Sequence, residues 1–254
     1  MTDSFALLQL SDPHVGARWE GVDSSAVLAD VVAFAGSVGP RPDAILVSGD
    51  LAEHGADDEY ETVLRIASSL GAPVFAVAGN HDDRITLRRA FDLPGAEEEP
   101  VQYAAEPGPL RLVVLDSTRP GADEGELDAD RLAWLDATLA TADTPAIVAL
   151  HHPPVLTGLP AFDRIGLPAA DRQAFGEVIA RHPHVRRIVT GHVHRACVSE
   201  LGKCPVVVAP SAYLQARLDL LSDEIVFDTA HPPGYAVHAL ADGRLASHFQ
   251  FTAS

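Results

Sequence analysis

Cysteine and basic residues are scarce in this sequence, and each shortage excludes a class of protein. Its 254 residues include two cysteines, too few for the disulfide framework of a small secreted domain. We therefore expect Cys197 and Cys204 to be reduced, half-buried apolar side chains. The 18 basic residues are outnumbered by 36 acidic ones, and the resulting net charge of −18 argues against binding to long nucleic acids.

Long apolar runs are also missing. No stretch approaches the roughly 18 consecutive apolar residues of a membrane span, and the N-terminus, MTDSFALLQLSD, lacks the basic region and cleavage site of a signal peptide. We expect a soluble cytoplasmic protein that does not associate with membranes. With 47% hydrophobic residues, the chain is long enough to form one large core, which predicts a single domain over residues 1–254.

Short apolar runs, by contrast, recur along the chain, and each ends in polar residues. They predict buried strands. The runs are FALLQL from residue 5, AILVSG from 44, PVFAVAG from 73, LRLVVLD from 110, AIVAL from 146 and RRIVTG from 186.

Segments with helical apolar spacing lie between these strands, and acidic residues precede or begin three of them. The predicted helices are 24–38, 57–70, 84–91, 128–139 and 171–179, with Asp23, Asp57 and Asp128 as N-caps. Strands that alternate with helices predict parallel pairing, with ligands bound beyond the carboxyl ends of the strands.

The pattern differs in the last part of the chain and in two Pro- and Gly-rich segments. After residue 195, strand-like runs without long helices predict antiparallel hairpins that complete a second sheet. Segments 92–109 and 153–170 predict long loops that overhang the strand ends.

Five motifs follow the predicted strands, and together they supply carboxylates, imidazoles and one amide. This mixture of ligands suits Zn, Mn and Fe ions. Residues i and i+2 of an extended segment face the same way, so each D-x-H or H-x-H pair can converge on one pocket. The motifs are Asp12-Pro13-His14, Gly49-Asp50, Gly79-Asn80-His81-Asp82, His151-His152-Pro153-Pro154 and Gly191-His192-Val193-His194.

This series resembles the signature of the calcineurin-like metallophosphoesterase superfamily. The segments PDAILVSGDLAEHG, VAGNHDD and ALHHPP are similar to those of its class III branch, which contains cyclic nucleotide phosphodiesterases and glycerophosphodiesterases. The resemblance runs from about residue 5 to 195 and continues loosely to about 251. It implies a four-layer α/β/β/α sandwich with two mixed sheets and a metal site at the C-terminal ends of strands.

The resemblance also implies a ligand set for two divalent ions, which would be Fe, Mn or Zn. Asp50 would bridge both ions, in agreement with the general ability of a carboxylate to give one oxygen to each metal of a two-metal site. The first ion would be held by Asp12, His14 and His194, and the second by Asn80, His151 and His192.

The role of His81 follows from its place beside a ligand. By resemblance, this imidazole lies near the leaving oxygen, and its ordinary pKa of about 6.5 suits a general acid. The alternative is that His81 orients Asp50 or Asp12.

Several other residues have open roles. We expect His152 to lie behind His151 or at the pocket rim, because adjacent strand-end residues point to opposite sides. His54 could reach the substrate or lie on the surface, and Ser211 and Tyr213 could border the pocket. The histidines without motif context are predicted to be ordinary surface or core residues: His182, His184, His231, His238 and His248.

The sequence therefore predicts a binuclear metal-dependent phosphodiesterase that acts on small diesters such as cyclic AMP or glycerophosphodiesters. The alternatives are a phosphomonoesterase of the same fold and a metal-binding scaffold without turnover. A homodimer or higher homo-oligomer is a further expectation.

Overall fold

The computed structural model describes residues 4–39 and 41–252, which form two large sheets flanked by helices and a separate two-stranded sheet. The strands are β1 Phe5–Leu10, β2 Ala44–Ser48, β3 Val74–Val77, β4 Tyr103–Ala105, β5 Arg111–Val114, β6 Ala146–Ala149, β7 Val185–Thr190, β8 Cys197–Leu201, β9 Cys204–Val208, β10 Gln215–Ala216, β11 Phe227–Asp228, β12 Gly234–Ala241 and β13 Arg244–Phe251. The helices are α1 Ser24–Val38, α2 Asp57–Ala67, α3 Arg84–Ala90, α4 Ala129–Leu139, α5 Pro160–Arg164 and α6 Ala169–Arg181.

Both large sheets mix parallel and antiparallel strands. The first has the order β13-β12-β1-β2-β3, with β1, β2 and β3 parallel to one another. The second has the order β4-β5-β6-β7-β9-β8, in which β5, β6, β7 and β9 are parallel. The carboxyl ends of the parallel strands therefore meet at one edge of each sheet.

Alternating side chains of the second sheet show how the layers stack. Leu112 and Val114 of β5 pack in the core shared with the first sheet, whereas Val113 packs with α4 and α6. Successive side chains of a strand point to opposite faces, so each sheet is covered on both sides. The predicted four-layer α/β/β/α sandwich with two mixed sheets is confirmed.

Helix α2 illustrates why these segments are helical and where one detail of the prediction is wrong. Its buried residues Tyr60, Val63 and Ala67 fall on one face at helical spacing. The N-cap is Ala56 and not the predicted Asp57, which is the first helical residue. The Glu59 carboxylate accepts a hydrogen bond from the Ala56 amide at 3.1 Å, so a side chain from the first turn of the helix pairs with the backbone amide of the N-cap.

The other helix predictions agree closely with the structure. Asp23 and Asp128 cap α1 and α4 as expected, each accepting hydrogen bonds from amides of the first turn. Segments 92–109 and 153–170 are not wholly loops, because they contain strand β4 and the short helix α5.

The C-terminal hairpins divide between the two sheets, which corrects the expectation that they complete the second sheet. Strands β8 and β9 extend the second sheet, but β12 and β13 join the first through antiparallel pairing of β12 with β1. Strand β1 is buried along nearly its whole length, so its second edge needs a partner for its backbone polar groups.

Two smaller expectations concern the cysteines and the membrane. Both thiols are free, and they lie near opposite ends of the β8–β9 hairpin, where Cys197 pairs with Val208 and Cys204 with Leu201. Within the described ranges, none of the helices has both the length and the apolar character needed to cross a bilayer.

Candidate metal centre

Seven predicted ligand residues converge at the carboxyl ends of both sheets. Strands β1, β2 and β3 are each followed at once by motif residues from the first sheet, and β6 and β7 by motif residues from the second. Six of the seven side chains are buried, and Asn80 is half-buried. The residues that the structure brings together are Asp12, His14, Asp50, Asn80, His151, His192 and His194.

The first group of side chains contains His14, His194, Asp50 and Asp12. The Nε2 atoms of His14 and His194 are 3.1 Å apart, and His14 Nε2 is 3.4 Å from Asp50 Oδ2. Asp12 Oδ1 lies 3.8 Å from His194 Nε2. One potential ligand atom from each of the four residues lies within 4.8 Å of the others.

The second group shares Asp50 with the first. His151 Nε2 is 3.1 Å from Asn80 Oδ1 and 3.4 Å from Asp50 Oδ2, and His192 Nδ1 is 3.2 Å from the same Asn80 oxygen. Asp50 Oδ2 is therefore 3.4 Å from one imidazole of each group. This is the position that a bridging carboxylate needs.

The hydrogen bonds behind the imidazoles show that lone pairs point into the centre. His151 Nδ1 lies 3.0 Å from the Ser48 carbonyl oxygen, and His194 Nδ1 lies 3.0 Å from that of Leu214. A carbonyl oxygen only accepts, so both Nδ1 atoms carry the proton. In a neutral ring, this arrangement leaves the lone pair of Nε2 directed towards the centre, as a metal ligand requires.

The same reasoning applies to His14, whose Nδ1 lies 2.9 Å from Glu53 Oε2. Its Nε2 lone pair would then face the lone pair of His194 at 3.1 Å. Acceptors at such distances repel one another unless a metal ion or a proton on one of the rings lies between them. The nitrogen and oxygen donor set is the one that Zn, Mn and Fe ions bind, so the residues fit such ions.

The pKa values of the central residues also indicate that positive charge is favoured beside Asp50. Burial opposes the charged form of His151, but the charge and hydrogen bond of Asp50 raise the pKa of His151 to about 9. Burial would raise the pKa of Asp50, yet the charges of His151 and His14 hold it well below its ordinary value. Burial lowers the pKa of His194 to about 4, even though Asp12 opposes the shift.

Five of the seven residues have left-handed backbone conformations, which strain a residue that has a side chain. The φ angles are 50° for Asp12, 42° for His14, 49° for Asp50, 71° for His192 and 51° for His194. Each such conformation costs about 1–3 kcal/mol and persists only where the surrounding structure enforces it. The clustering of these angles marks the centre independently of its ligand chemistry.

Two glycines of the motifs are required by close packing. A Cβ atom at Gly49, whose φ is 97°, would lie 2.0 Å from His151 Nδ1. At Gly79 it would lie 2.1 Å from the Asp50 backbone nitrogen and 2.3 Å from Oδ1. No larger residue can occupy either position without displacing a member of the centre.

His81 stands beside the centre with its side chain one third exposed, at 33%. Its backbone amide donates to Asp50 Oδ1 at 2.9 Å, and its ring meets that of His14 edge-on at 4.7 Å. The imidazole itself contacts Glu53, with Nδ1 3.4 Å from the carbonyl oxygen. The side chain therefore lies at the opening of the site, where it could reach a substrate.

His152 lies behind His151 and away from the opening. Its Nδ1 is 2.9 Å from Ser117 Oγ and its Nε2 is 3.1 Å from the Asp123 carbonyl oxygen. Burial, followed by the charge of His151, lowers the pKa of His152 to about 3. Both ring nitrogens are occupied by protein partners, so this histidine supports its neighbour from inside the fold.

The other residues with open roles hold loops together. His54 is exposed and pairs with Glu59, with 2.7 Å between Nδ1 and Oε1. Ser211 Oγ donates to the Asp12 carbonyl oxygen at 3.0 Å, and the Tyr213 hydroxyl donates to the Val22 carbonyl oxygen at 2.7 Å. Ser211 and Tyr213 are buried, and Tyr213 borders a cavity that is also lined by Val22 and His231 and by none of the seven predicted ligand residues.

Sequence reasoning missed two carboxylates of the site. Glu53 accepts from His14 and, at 3.2 Å, from Trp19 Nε1, and its Oε2 is 3.6 Å from His81 Nδ1. Asp82 accepts from the Gly79 amide at 2.8 Å and from the amides of Leu51 and Ala52 at 3.1 Å, which ties the loops after β2 and β3 together. Their positions within GDLAE and GNHD were the available signals.

Comparisons with known proteins agree with this geometry. Residues 5–196 match the family model described as calcineurin-like phosphoesterase. The solved structure of a dimetal phosphatase from Danio rerio superposes with a TM-score of 0.72 at 17% identity, covering 97% of this chain and 96% of that one. That similarity supports the fold alone.

Three curated relatives are similar over most of their length. A "Probable cyclic nucleotide phosphodiesterase" of Synechococcus sp. is 36% identical over 84% of this chain and 82% of its own. The 3′,5′-cyclic adenosine monophosphate phosphodiesterase CpdA of Pseudomonas aeruginosa is 34% identical, covering 95% and 88%. The "Probable glycerophosphodiester phosphodiesterase GpdQ" of Arcobacter nitrofigilis is 28% identical, covering 91% and 87%. The family match spans most of the residues that form the two sheets and every residue of the centre, so this chain belongs to the calcineurin-like phosphoesterase family.

Proposed function

We propose that this chain is a hydrolase that cleaves small phosphodiesters at a binuclear metal centre. The observation that carries the proposal is the position of Asp50, whose Oδ2 is 3.4 Å from His14 and 3.4 Å from His151. A carboxylate shared between two imidazole groups suits two metal ions roughly 3.5 to 4 Å apart. The names of the relatives support phosphodiesters as the substrate class.

Each group of ligands would hold one divalent ion, with Asp50 common to both. Asp12, His14 and His194 would bind the first, and Asn80, His151 and His192 the second. When bound, two such ions supply Lewis acidity and lower the pKa of water towards neutrality. Iron, manganese and zinc are the proposed ions, because carboxylate, amide and imidazole ligands suit all three.

The protein residues perform the remaining tasks. His81 would donate a proton to the oxygen of the leaving alcohol, because its imidazole is one third exposed and lies beside the first group. Glu53 would fix the orientation of His14 through the bond to Nδ1. The Asn80 oxygen would be a neutral ligand of the second ion, so it adds no negative charge beside the phosphate.

The proposal extends to partners and location. The net charge of −18 repels phosphate groups at long range, so a local cation must attract the substrate. Such a local attraction suits a small diester better than a long nucleic acid. A homo-oligomer and a cytoplasmic location remain predictions.

A substrate panel tests the proposed function. Protein reconstituted with Mn²⁺, Zn²⁺ or Fe²⁺ should hydrolyse bis(p-nitrophenyl) phosphate, cyclic AMP or a glycerophosphodiester, and a chelator should abolish the activity. We expect kcat/KM for the best diester to exceed that for p-nitrophenyl phosphate by about tenfold or more. A higher kcat/KM for the monoester would favour a phosphomonoesterase, and binding of metal without turnover would favour a scaffold.

An aromatic pair beside the first group favours a substrate with a flat ring. Trp19 stacks on Phe227 with ring centroids 4.7 Å apart and an interplanar angle of 23°. Trp19 is also 4.5 Å from His14, and Phe227 is 4.9 Å from His194. Both aromatic side chains are half-buried, so they offer a stacking surface at the edge of the centre.

Replacement of Phe227 by alanine should separate nucleotide from glycerol substrates. Stacking of a base on an aromatic ring contributes about 1–3 kcal/mol, so we expect KM for cyclic AMP to rise roughly 5- to 150-fold. KM for a glycerophosphodiester should change less than about twofold, because glycerol has no ring to stack. Leu221→Ala in the same segment, where Leu221 is 94% exposed, is the matched control. Equal increases for both substrates would contradict the stacking role.

A further inference from the structure

A line of buried polar side chains crosses the core between the two sheets and ends at Asp12. Gln9 lies at its centre and contacts His238 on one side and Ser48 on the other, at 2.8 and 2.7 Å. Ser48 Oγ is 2.8 Å from Ser11 Oγ, and Ser11 Oγ is 2.6 Å from Asp12 Oδ2. All five of these side chains have exposed fractions of 0%.

The orientation of the Gln9 amide follows from its neighbours. Its Nε2 lies 3.0 Å from the Thr190 carbonyl oxygen as well as 2.7 Å from Ser48 Oγ. A carbonyl oxygen only accepts, so the amide nitrogen must face Thr190. Gln9 Oε1 therefore faces His238 and must accept a hydrogen bond from its Nε2.

The tautomer of His238 follows from that bond. Burial, and next the positive charge of Arg187, lower the pKa of His238 to about 3, so the ring is neutral at pH 7. With the proton on Nε2, His238 Nδ1 accepts from Ser247 Oγ at 2.7 Å. The chain of hydrogen bonds thus begins at Ser247 on β13, the outermost strand of the first sheet.

Every donor in the chain can then point towards Asp12. Ser247 donates to His238, His238 to Gln9 and Gln9 to Ser48. Ser48 donates to Ser11, and Ser11 donates to Asp12 Oδ2. Aligned hydrogen bonds polarise one another, and their positive ends favour a negative carboxylate at the last acceptor.

The chain leaves the other oxygen of Asp12 free to face the metal centre. Asp12 Oδ1 accepts from the His192 amide at 2.9 Å and lies 3.8 Å from His194 Nε2. Because Ser11 holds Oδ2, the carboxylate cannot rotate to exchange its two oxygens without breaking that bond. Orientation of a ligand carboxylate by hydrogen bonds is a general determinant of metal affinity.

We propose that Ser11, Ser48 and Gln9 are positioning residues, which orient Asp12 for the first metal ion through this chain. The proposal rests on the binuclear centre proposed above. Burial alone does not force a polar side chain of this core into the chain of hydrogen bonds. Thr190 Oγ1 is buried in the same core with no hydrogen-bond partner among the described residues.

Metal affinity tests the proposal with a readout other than activity. Mn²⁺ or Zn²⁺ is titrated into wild type, Ser11→Ala, Ser48→Ala and the double variant in competition with a chromophoric chelator. Each single variant should raise the dissociation constant of one ion about tenfold. The double variant should match Ser11→Ala, because a chain that is already cut at its last link is insensitive to a second cut.

Thr190→Val is the matched control, because it removes a buried hydroxyl that has no hydrogen-bond partner among the described residues and keeps the backbone carbonyl that accepts from Gln9. Its dissociation constants should stay within about twofold of wild type. Unfolding by urea in excess chelator reports stability separately for every variant. If an alanine variant does not fold, Gln9→Met cuts the same chain one link further from Asp12.

Three results would overturn the positioning role. One is an unchanged dissociation constant in Ser48→Ala, the second is an equal effect in Thr190→Val, and the third is a double variant whose loss is the product of the single losses. Failure of the wild type to bind metal would instead overturn the binuclear centre itself, and the positioning role with it.

Discussion

Replacement of Asp50 by alanine should abolish binding of both metal ions and nearly all turnover. Asp50 Oδ2 is the atom shared by the two groups, at 3.4 Å from His14 and from His151. Its removal leaves one carboxylate and two imidazoles at the first group, three donors without a carboxylate at the second, and no carboxylate between the two groups. Metal ions supply several kcal/mol of charge stabilisation in such reactions, so kcat should fall by about a thousandfold or more.

The measurement is metal content by mass spectrometry after gel filtration, together with kcat on an activated diester. Asp83→Asn is the control, because Asp83 caps α3 beside the site and asparagine caps helices equally well. Circular dichroism must show that Asp50→Ala has folded. Retention of two ions per chain by folded Asp50→Ala would refute the bridging role.

Replacement of His81 by alanine should affect alkyl and aryl diesters very differently. A general acid contributes about 10²–10⁴-fold where the leaving group is a poor alkoxide. A nitrophenolate departs without protonation, so its release gains little from a proton donor. We expect a loss in this range for an alkyl diester and less than about tenfold for bis(p-nitrophenyl) phosphate.

His54→Ala is the matched control for this comparison, since it removes a nearby imidazole that pairs with Glu59 on the surface. Its kcat should be unchanged on both substrates. Metal content should also be measured, because the His81 amide donates to Asp50 and a disturbed loop could release an ion. Equal losses on both substrates, with metal retained, would support the alternative in which His81 only orients the centre.

The positive φ angles at the centre link its chemistry to its stability. Five of the proposed ligand residues have left-handed backbone conformations, which residues other than glycine seldom adopt. Such strain is maintained by the surrounding strands and by hydrogen bonds such as that from the His192 amide to Asp12. The two sheets therefore help to hold the proposed ligand side chains in position.

Local patterns made much of this site predictable. Strand runs such as AILVS end at the residues that supply ligands, and a parallel sheet gathers strand ends at one edge. The pairs in Asp12-Pro13-His14 and His192-Val193-His194 were also recognisable in the sequence, although left-handed turns, and not the extended backbone expected, bring their side chains together. Both are properties of a few neighbouring residues.

Features that depend on distant contacts were not predictable. Nothing in the sequence of β12 indicates that it joins β1 and not the second sheet, because either edge would satisfy an alternating strand. His238 was expected to be an ordinary core or surface histidine, yet it contacts Gln9, which is 229 positions away in the chain. Glu53 is an acidic loop residue until His14, Trp19 and His81 are placed around it.

The sequence by itself determined the fold class, the order of the ligand motifs and the chemistry of their donors. The alternation of strands and helices and the donor types follow from hydrophobic periodicity and from residue types at strand ends, which are local properties. The four-layer arrangement was implied by the resemblance to the metallophosphoesterase superfamily. Only the tertiary structure decided which lone pairs face one another, which oxygen of Asp50 is shared and which buried chain reaches Asp12. Those relations depend on the pairing and stacking of two sheets, where a shift of one residue would turn every side chain to the opposite face.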